Sequence, residues 1–502
     1  MFFLYIVFLL SISLQHAGGY HVAIVAGCSS HLYATSSFSR LLVNKGHKVT
    51  YVTSKECKSR FLDTGAQLYQ EKRWNVIDIK QILTSSNYIT QAYHALAFIE
   101  NNTEVMFQEL ETWLNQDNGI HRPDLIVSPL AGIFSSAIAD YYNIPFVSFY
   151  GNGIKFASKA NMQKFVFMLP GWINDWINEK SIIHESLVKV QWTCLNLWMN
   201  FFFSFNMLNN RRQEMLLPKF GNMLHLIRSY PTITPFYEPF VAHGEVNDFY
   251  RISLTSSVKS NDPLDSDVSK WLSNSDVPVL YMALGTSTYI EQSLIEMFAE
   301  AFEAQSDFRI LWSLLEKDAF PPVHKTKDQI LVKSFLPQIA VLQRREVVGF
   351  LTHCGAGSLL EAISIEIPMI LFPQGRDQNM NAKKVNETGA GIYLPTPNSS
   401  DSINDVLKQF KLKLEELQIN IGIVRRRIDE MDEWDKFNVA MKKLITTKSS
   451  SRIEDVEDMS ETFRKWTSIL ISIVMLIFFL CIYVTYKCCK CVCRRSRKLK
   501  ND

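Results

Sequence analysis

Two separated stretches of this chain alternate short, wholly apolar runs with helical ones, and this repeated pattern limits the fold more than any other feature. His21 to Gly27 (HVAIVAG) reads as a buried strand, Ser36 to Lys45 as a helix and Lys48 to Thr53 as a second strand. A run without polar alternation needs cover on both faces, which a parallel sheet flanked by helices provides. Asp124 to Val127 and Pro145 to Tyr150 are further apolar strands around a helical stretch from about Gly132 to Tyr142, so the first half predicts a doubly wound sheet. A polar stretch, Ser256 to Asp267, follows. The pattern then restarts with strand Val277 to Leu284, helix Gln292 to Ala304, strands Phe308 to Trp312, Gln329 to Lys333 and Val348 to Thr352, helix Ser358 to Ile363 and strand Met369 to Phe372. At 502 residues the chain exceeds what one core organises, so two α/β domains are expected, with ligands bound outside the carboxyl ends of the strands.

The ends carry expectations about location. Phe2 to Leu14 is apolar and precedes Ala17-Gly18-Gly19, a sequence suited to signal-peptide cleavage after Gly19. Residues 466–486 are uncharged and long enough to cross a membrane, after a juxtamembrane linker over 449–465. The 487–502 tail holds Lys487, Lys490, Arg494, Arg495, Arg497, Lys498 and Lys500, which by charge bias belongs in the cytoplasm and leaves the body lumenal. Lys498 and Lys500 have the spacing of a dilysine retrieval address for the endoplasmic reticulum; a lipid-attracting basic patch is the other reading. Over the whole chain charge is balanced, 52 basic against 50 acidic residues, so nothing calls for a nucleic-acid partner. Four of nine cysteines (Cys488, Cys489, Cys491, Cys493) sit beside the expected span, where palmitoylation fits better than a metal; the rest are too sparse for a disulfide scaffold. Asn101, Asn386 and Asn398 head glycosylation sequons. Residues 155–225 are rich in Phe, Trp, Leu and Met, which reads as core helices, an apolar acceptor pocket or a membrane-facing surface.

The chemistry concentrates between Phe335 and Gln378. Thr352-His353-Cys354-Gly355-Ala356-Gly357-Ser358 joins a buried strand to a helix, and its glycines let backbone approach a ligand closely. Free N–H groups and the positive end of the helix dipole make such a turn an anion site, to which His353 and Ser358 add donors. Phe335-Leu336-Pro337-Gln338 brings an aromatic plane and an amide, suited to a nucleobase. Glu361 can accept from a ribose diol, and Asp377-Gln378 can grip sugar hydroxyls. Asp265-Ser266-Asp267 has the form of a metal-chelating pair, but Asp267 stands where the next helix wants an N-cap.

These motifs and spacings resemble the C-terminal signature of the UDP-glycosyltransferases. The resemblance implies two GT-B domains, 20–255 for the acceptor and 256–448 for the UDP-sugar. It implies that Phe335 stacks on uracil, Gln338 meets uracil or ribose, and His353, Gly355, Gly357 and Ser358 hold the diphosphate. It further implies that Glu361 holds ribose, Asp377 and Gln378 bind the sugar, and Leu284-Gly285-Thr286-Ser287 forms a second phosphate-facing loop through Gly285 and Thr286. Gly27-Cys28-Ser29-Ser30-His31 is similar to the family's first loop, making His31 the general base for an inverting transfer that uses UDP-sugar as co-substrate, with no cofactor or metal. The acceptor implied is lipophilic, the sugar glucose or glucuronic acid. An imidazole suits a base at neutral pH. Relatives orient this His with an Asp soon after the strand that here reads Pro123 to Val127, and Ser128-Pro129 occupies that place. Without it the alternative is a catalytically silent UDP-sugar-binding membrane protein. A dinucleotide oxidoreductase would need Gly-x-Gly-x-x-Gly after the first strand, and that motif is missing.

Overall fold

The computed structural model describes residues 19–26, 32–53, 64–69, 107–116, 122–129, 134–149, 205–220, 226, 229–235, 249–260, 263–274, 276–285, 290–314, 329–374 and 378–447. The first sheet contains β1 (His21–Val25), β2 (Lys48–Val52), β3 (Gln67–Tyr69), β4 (Leu125–Pro129), β5 (Phe146–Phe149), β6 (Thr232–Thr234) and β7 (Phe249–Arg251) in the order β3-β2-β1-β4-β5-β6-β7. The second contains β8 (Val279–Ala283), β9 (Arg309–Ser313), β10 (Ile330–Lys333), β11 (Val347–Thr352), β12 (Met369–Leu371) and β13 (Gly391–Tyr393) in the order β10-β9-β8-β11-β12-β13. All pairings are parallel. Strand order therefore reverses between β1 and β4 in one sheet and between β8 and β11 in the other, and each reversal opens a crevice at the strands' carboxyl ends.

The helices are α1 (Leu32–Asn44), α2 (Ser135–Tyr141), α3 (Phe205–Glu214), α4 (Ser266–Ser273), α5 (Gln292–Ala304), α6 (Gln338–Leu342), α7 (Ala356–Ile365), α8 (Gln378–Glu387), α9 (Ser400–Leu412), α10 (Leu414–Glu430) and α11 (Trp434–Thr447). Helix α1 starts four residues before its expected bound. Thr35, Ser36, Ser37 and Ser39 are all buried; their small side chains let the helix lie close to the sheet, where Tyr51 Oη donates to the Thr35 carbonyl at 2.6 Å. Asp265, not Asp267, is the N-cap residue of α4. Asp267 lies in the first turn and pairs with Lys333.

An apolar cluster runs from Phe38 and Leu42 of α1 through Ile252 and Leu254 to Leu359 and Ile363 of α7, Ile421 and Val424 of α10, and Trp434 and Phe437 of α11. Helix α11 follows the second sheet in sequence but packs on the first, the Phe437 ring lying 5.6 Å from Tyr250 and 6.4 Å from Phe38. Among the described residues no helix is long and apolar enough to cross a membrane. The expected signal segment, span and basic tail lie outside the described residues, as do most of residues 155–225.

Candidate active site

The site is built at the β8/β11 reversal. Gly285 follows β8 and His353 follows β11, and these paired strands bring the two loops side by side. A Cβ on Gly285 would lie 2.8 Å from His353 Nε2, and one on Gly355 would lie 2.5 Å from the same atom. The imidazole is thus wedged between two positions that only glycine can occupy without displacing it, and Gly285 also adopts φ +82°. Burial pushes the His353 pKa down to about 4, the Ala283 carbonyl opposing the shift. The ring is neutral at physiological pH, and its one N–H is directed to the Ala283 carbonyl. Its Nδ1 is buried without a hydrogen-bond partner.

Gly355 is the N-cap residue of α7, with no side-chain cap bond there. The first N–H groups of a helix have no intrahelical acceptor and carry the positive end of the dipole. Gly357 and Ser358 occupy that first turn, and Glu361 the next. Gln338, opening α6, ties the two turns together: its Nε2 donates to Ser358 Oγ at 3.0 Å and to Glu361 Oε2 at 2.6 Å. Glu361 is buried, and burial pushes its carboxyl up to about 7, with the Gln338 bond acting in the opposite direction. Phe335 stands three residues before Gln338 with 62 % of its surface exposed, a free aromatic face beside the carboxylate turn. Gln378 opens α8 and accepts the Gln374 backbone N–H at 2.8 Å.

The structure therefore brings Gly285, His353 and Gly355 into one contact group, and Gln338 of α6 with Ser358 and Glu361 of α7 into a second. His31, Thr286 and Asp377 lie outside the described residues. Sequence reasoning passed over Asn381, whose Nδ2 donates to the Cys354 carbonyl at 3.0 Å from a fully buried position. No local signal in the sequence singles it out, because its partner lies 27 positions away. At the first sheet, Ser128 is the last residue but one of β4, with its Oγ donating to the Val25 carbonyl at 2.7 Å. The two nearby acids are committed elsewhere: Asp124 accepts the His21 N–H at 2.7 Å, and Asp140 accepts from Arg212 at 2.9 Å and Tyr230 at 2.6 Å.

Two all-parallel sheets, each with a strand-order reversal, correspond to the GT-B class of glycosyltransferase folds. Solved structures agree with that architecture: a Medicago truncatula glycosyltransferase complexed with UDP-glucose matches with a TM-score of 0.61 at 17 % identity, covering 86 % of this chain and 98 % of that one. A Phytolacca americana enzyme complexed with UDP-2-fluoro-glucose and pterostilbene matches with a TM-score of 0.54 at 17 % identity, covering 89 % and 100 %. The family model "UDP-glucoronosyl and UDP-glucosyl transferase" matches residues 19–415, and the chain belongs to that family. Among curated relatives, UDP-glycosyltransferase 73B1 of Arabidopsis thaliana is 31 % identical over 181 residues, 33 % of this chain and only 37 % of that protein. NDP-glycosyltransferase YjiC of Bacillus licheniformis is 23 % identical over 403 residues, 78 % of this chain and 89 % of that one.

Proposed function

We propose that the chain is an inverting UDP-hexosyltransferase that moves glucose or glucuronic acid to a hydroxyl of an apolar small molecule or lipid. The observation that carries this reading is the linked donor site, in which Gln338 joins the α7 anion turn to Glu361 beside the wedged His353. In this reading uracil stacks on Phe335, ribose hydroxyls donate to Glu361, and the diphosphate meets the α7 N–H groups, His353 and Ser358. Asp377 and Gln378 hold the sugar. His31 removes the acceptor's proton as its oxygen attacks the anomeric carbon; the carbon–oxygen bond to UDP breaks on the opposite face, and UDP leaves. The positive end of α7 stabilises the charge on departing UDP, so we propose a reaction without a metal. Supporting this, Asp267 of the acidic pair is engaged by Lys333. The UDP-glucose and pterostilbene of the relatives' complexes fit the same donor and acceptor classes.

The proposed location is the endoplasmic-reticulum membrane, with residues 466–486 spanning it, the body lumenal and the tail cytoplasmic; protease protection of a tagged tail in microsomes tests this. A second reading, a silent UDP-sugar-binding protein, is favoured by one observation. Ser128 is turned to Val25, where relatives supply an orienting acid. The deciding measurement is UDP release by detergent-solubilised wild type and His31→Ala with a panel of UDP-sugars and phenolic, steroid and lipid acceptors. Acceptor-dependent release lost in the variant supports the transferase. UDP binding by both proteins without turnover overturns it in favour of the silent binder.

A further inference from the structure

The turn that presents the diphosphate site is held in a conformation its own sequence does not favour. Cys354 sits at φ +64°, in the left-handed region, and it is not a glycine. One bond within the turn and one from outside it stabilise that residue: its N–H donates to Thr352 Oγ1 at 3.2 Å, and its carbonyl accepts from Asn381 Nδ2, 27 positions away, at 3.0 Å. Cys354 and Asn381 are both buried, so no solvent competes for either bond. Whatever fixes the Cys354 carbonyl also fixes the peptide planes on either side, and these carry His353 and Gly355. The imidazole has little freedom of its own, because Gly285 and Gly355 crowd it from both sides.

Asn381 lies three residues after Gln378 on α8, so the two share a helix face. One amide therefore registers the helix that opens with a sugar-binding residue against the loop that binds the diphosphate. We propose that Asn381 is a positioning residue for donor binding, holding Cys354 in its left-handed conformation so that the His353–Ser358 turn is preformed for a nucleoside diphosphate. This rests on the donor-site reading given above.

The test is calorimetric binding of UDP, with steady-state kinetics on UDP-glucose, in the full-length solubilised protein. Asn381→Ala is expected to raise the Kd for UDP and the KM for donor roughly tenfold while leaving kcat within about threefold, since a preformed turn contributes to ground and transition states alike. Asn381→Leu, of similar shape but with no hydrogen-bond donor, is expected to be as weak. Adding Cys354→Gly to N381A is expected to restore Kd to within about threefold of wild type, because glycine adopts positive φ unaided. A loss of packing alone would not be rescued by that second change. Should N381A not fold, N381L and the double variant carry the comparison. Unchanged UDP affinity in N381A or N381L, or no rescue by the added glycine, overturns the proposal. Failure of wild type itself to bind UDP overturns the donor-site reading and this proposal with it, whereas binding that N381A leaves intact removes only the role of Asn381.

Discussion

Gln338 Nε2 lies 2.6 Å from Glu361 Oε2, and that bond supports a carboxyl that burial holds at about 7. A buried acid with a raised pKa binds its proton more tightly in the folded state, so this group's contribution to apoprotein stability falls as pH rises from 4.5 through 7. Donor binding moves the other way. Ribose hydroxyls donating to the carboxylate favour its ionised form, so UDP affinity should rise with pH up to about 7 and level off above it. Calorimetry from pH 5.5 to 8.5 checks this, with a slope approaching tenfold per pH unit below 7 as the upper limit. Glu361→Gln should flatten the profile, and subtracting its curve removes the titration of the nucleotide's own phosphate.

Gly285→Ala and Gly355→Ala should each weaken UDP binding by roughly tenfold, about 1.4 kcal/mol. In either variant the new methyl would sit within 3 Å of His353 Nε2, and the ring, crowded from the other side, has no clear direction in which to move. Gly285→Ala adds strain at φ +82° and should therefore lose more thermal stability than Gly355→Ala, which a melting comparison reads directly. Equal UDP affinity in wild type and both alanine variants would remove His353 from the site.

Much of the second sheet was legible because its strands are continuous apolar runs bounded by polar or glycine turns; helix α5 occupies its expected span, 292–304. The Gly-rich turn and Glu361 were legible for the same reason, since local spacing alone sets the turn into which a strand runs. The left-handed Cys354 and its Asn381 support were not, because nothing in the residues Cys354 or Asn381 announces a bond across 27 positions. The clamp between Arg251 and Glu433 was hidden likewise, its partners separated by 182 residues. Strand β4 ran two residues beyond its expected end because Ser128 satisfies its hydroxyl on Val25 and so fits an interior strand position.

Ser128→Asp is the obvious way to restore the acid found in relatives, and the geometry argues against it. Ser128 is fully buried with its hydroxyl 2.7 Å from the Val25 carbonyl, so a carboxylate there would face an acceptor in place of a donor. Burial next to a carbonyl oxygen favours the protonated acid, which cannot stabilise an imidazolium. The variant should lower the melting temperature without raising kcat. A rise in kcat of tenfold or more would mean that the Ser128 position faces the His31 loop after all.

Arg251 grips Glu433 with both Nε and Nη2, at 3.0 Å each, while Glu433 N donates to the Arg251 carbonyl at 2.7 Å. This fastens the strand that ends the first sheet to the start of α11, next to Ser253, which donates to Asp429 at 2.6 Å through its hydroxyl. Partial burial raises the Glu433 pKa, but the Arg251 and Lys436 bonds outweigh it and hold the carboxyl at about 2. A depressed acid contributes stability above its unfolded pKa of 4.5 and loses it as pH falls towards 2. Glu433→Gln should therefore be less stable than wild type at neutral pH, by roughly 2 kcal/mol for hydrogen bonds to a charged group. The gap in urea midpoint should stay constant from pH 8 to 5 and close between about 4.5 and 2. Because α11 is the element that returns to the first sheet, loss of the clamp should expose the α10–α11 junction to protease before either sheet is cut. A variant as stable and as protected as wild type at pH 7 would show that the apolar contacts of Trp434 and Phe437 hold α11 in place without the ion pair.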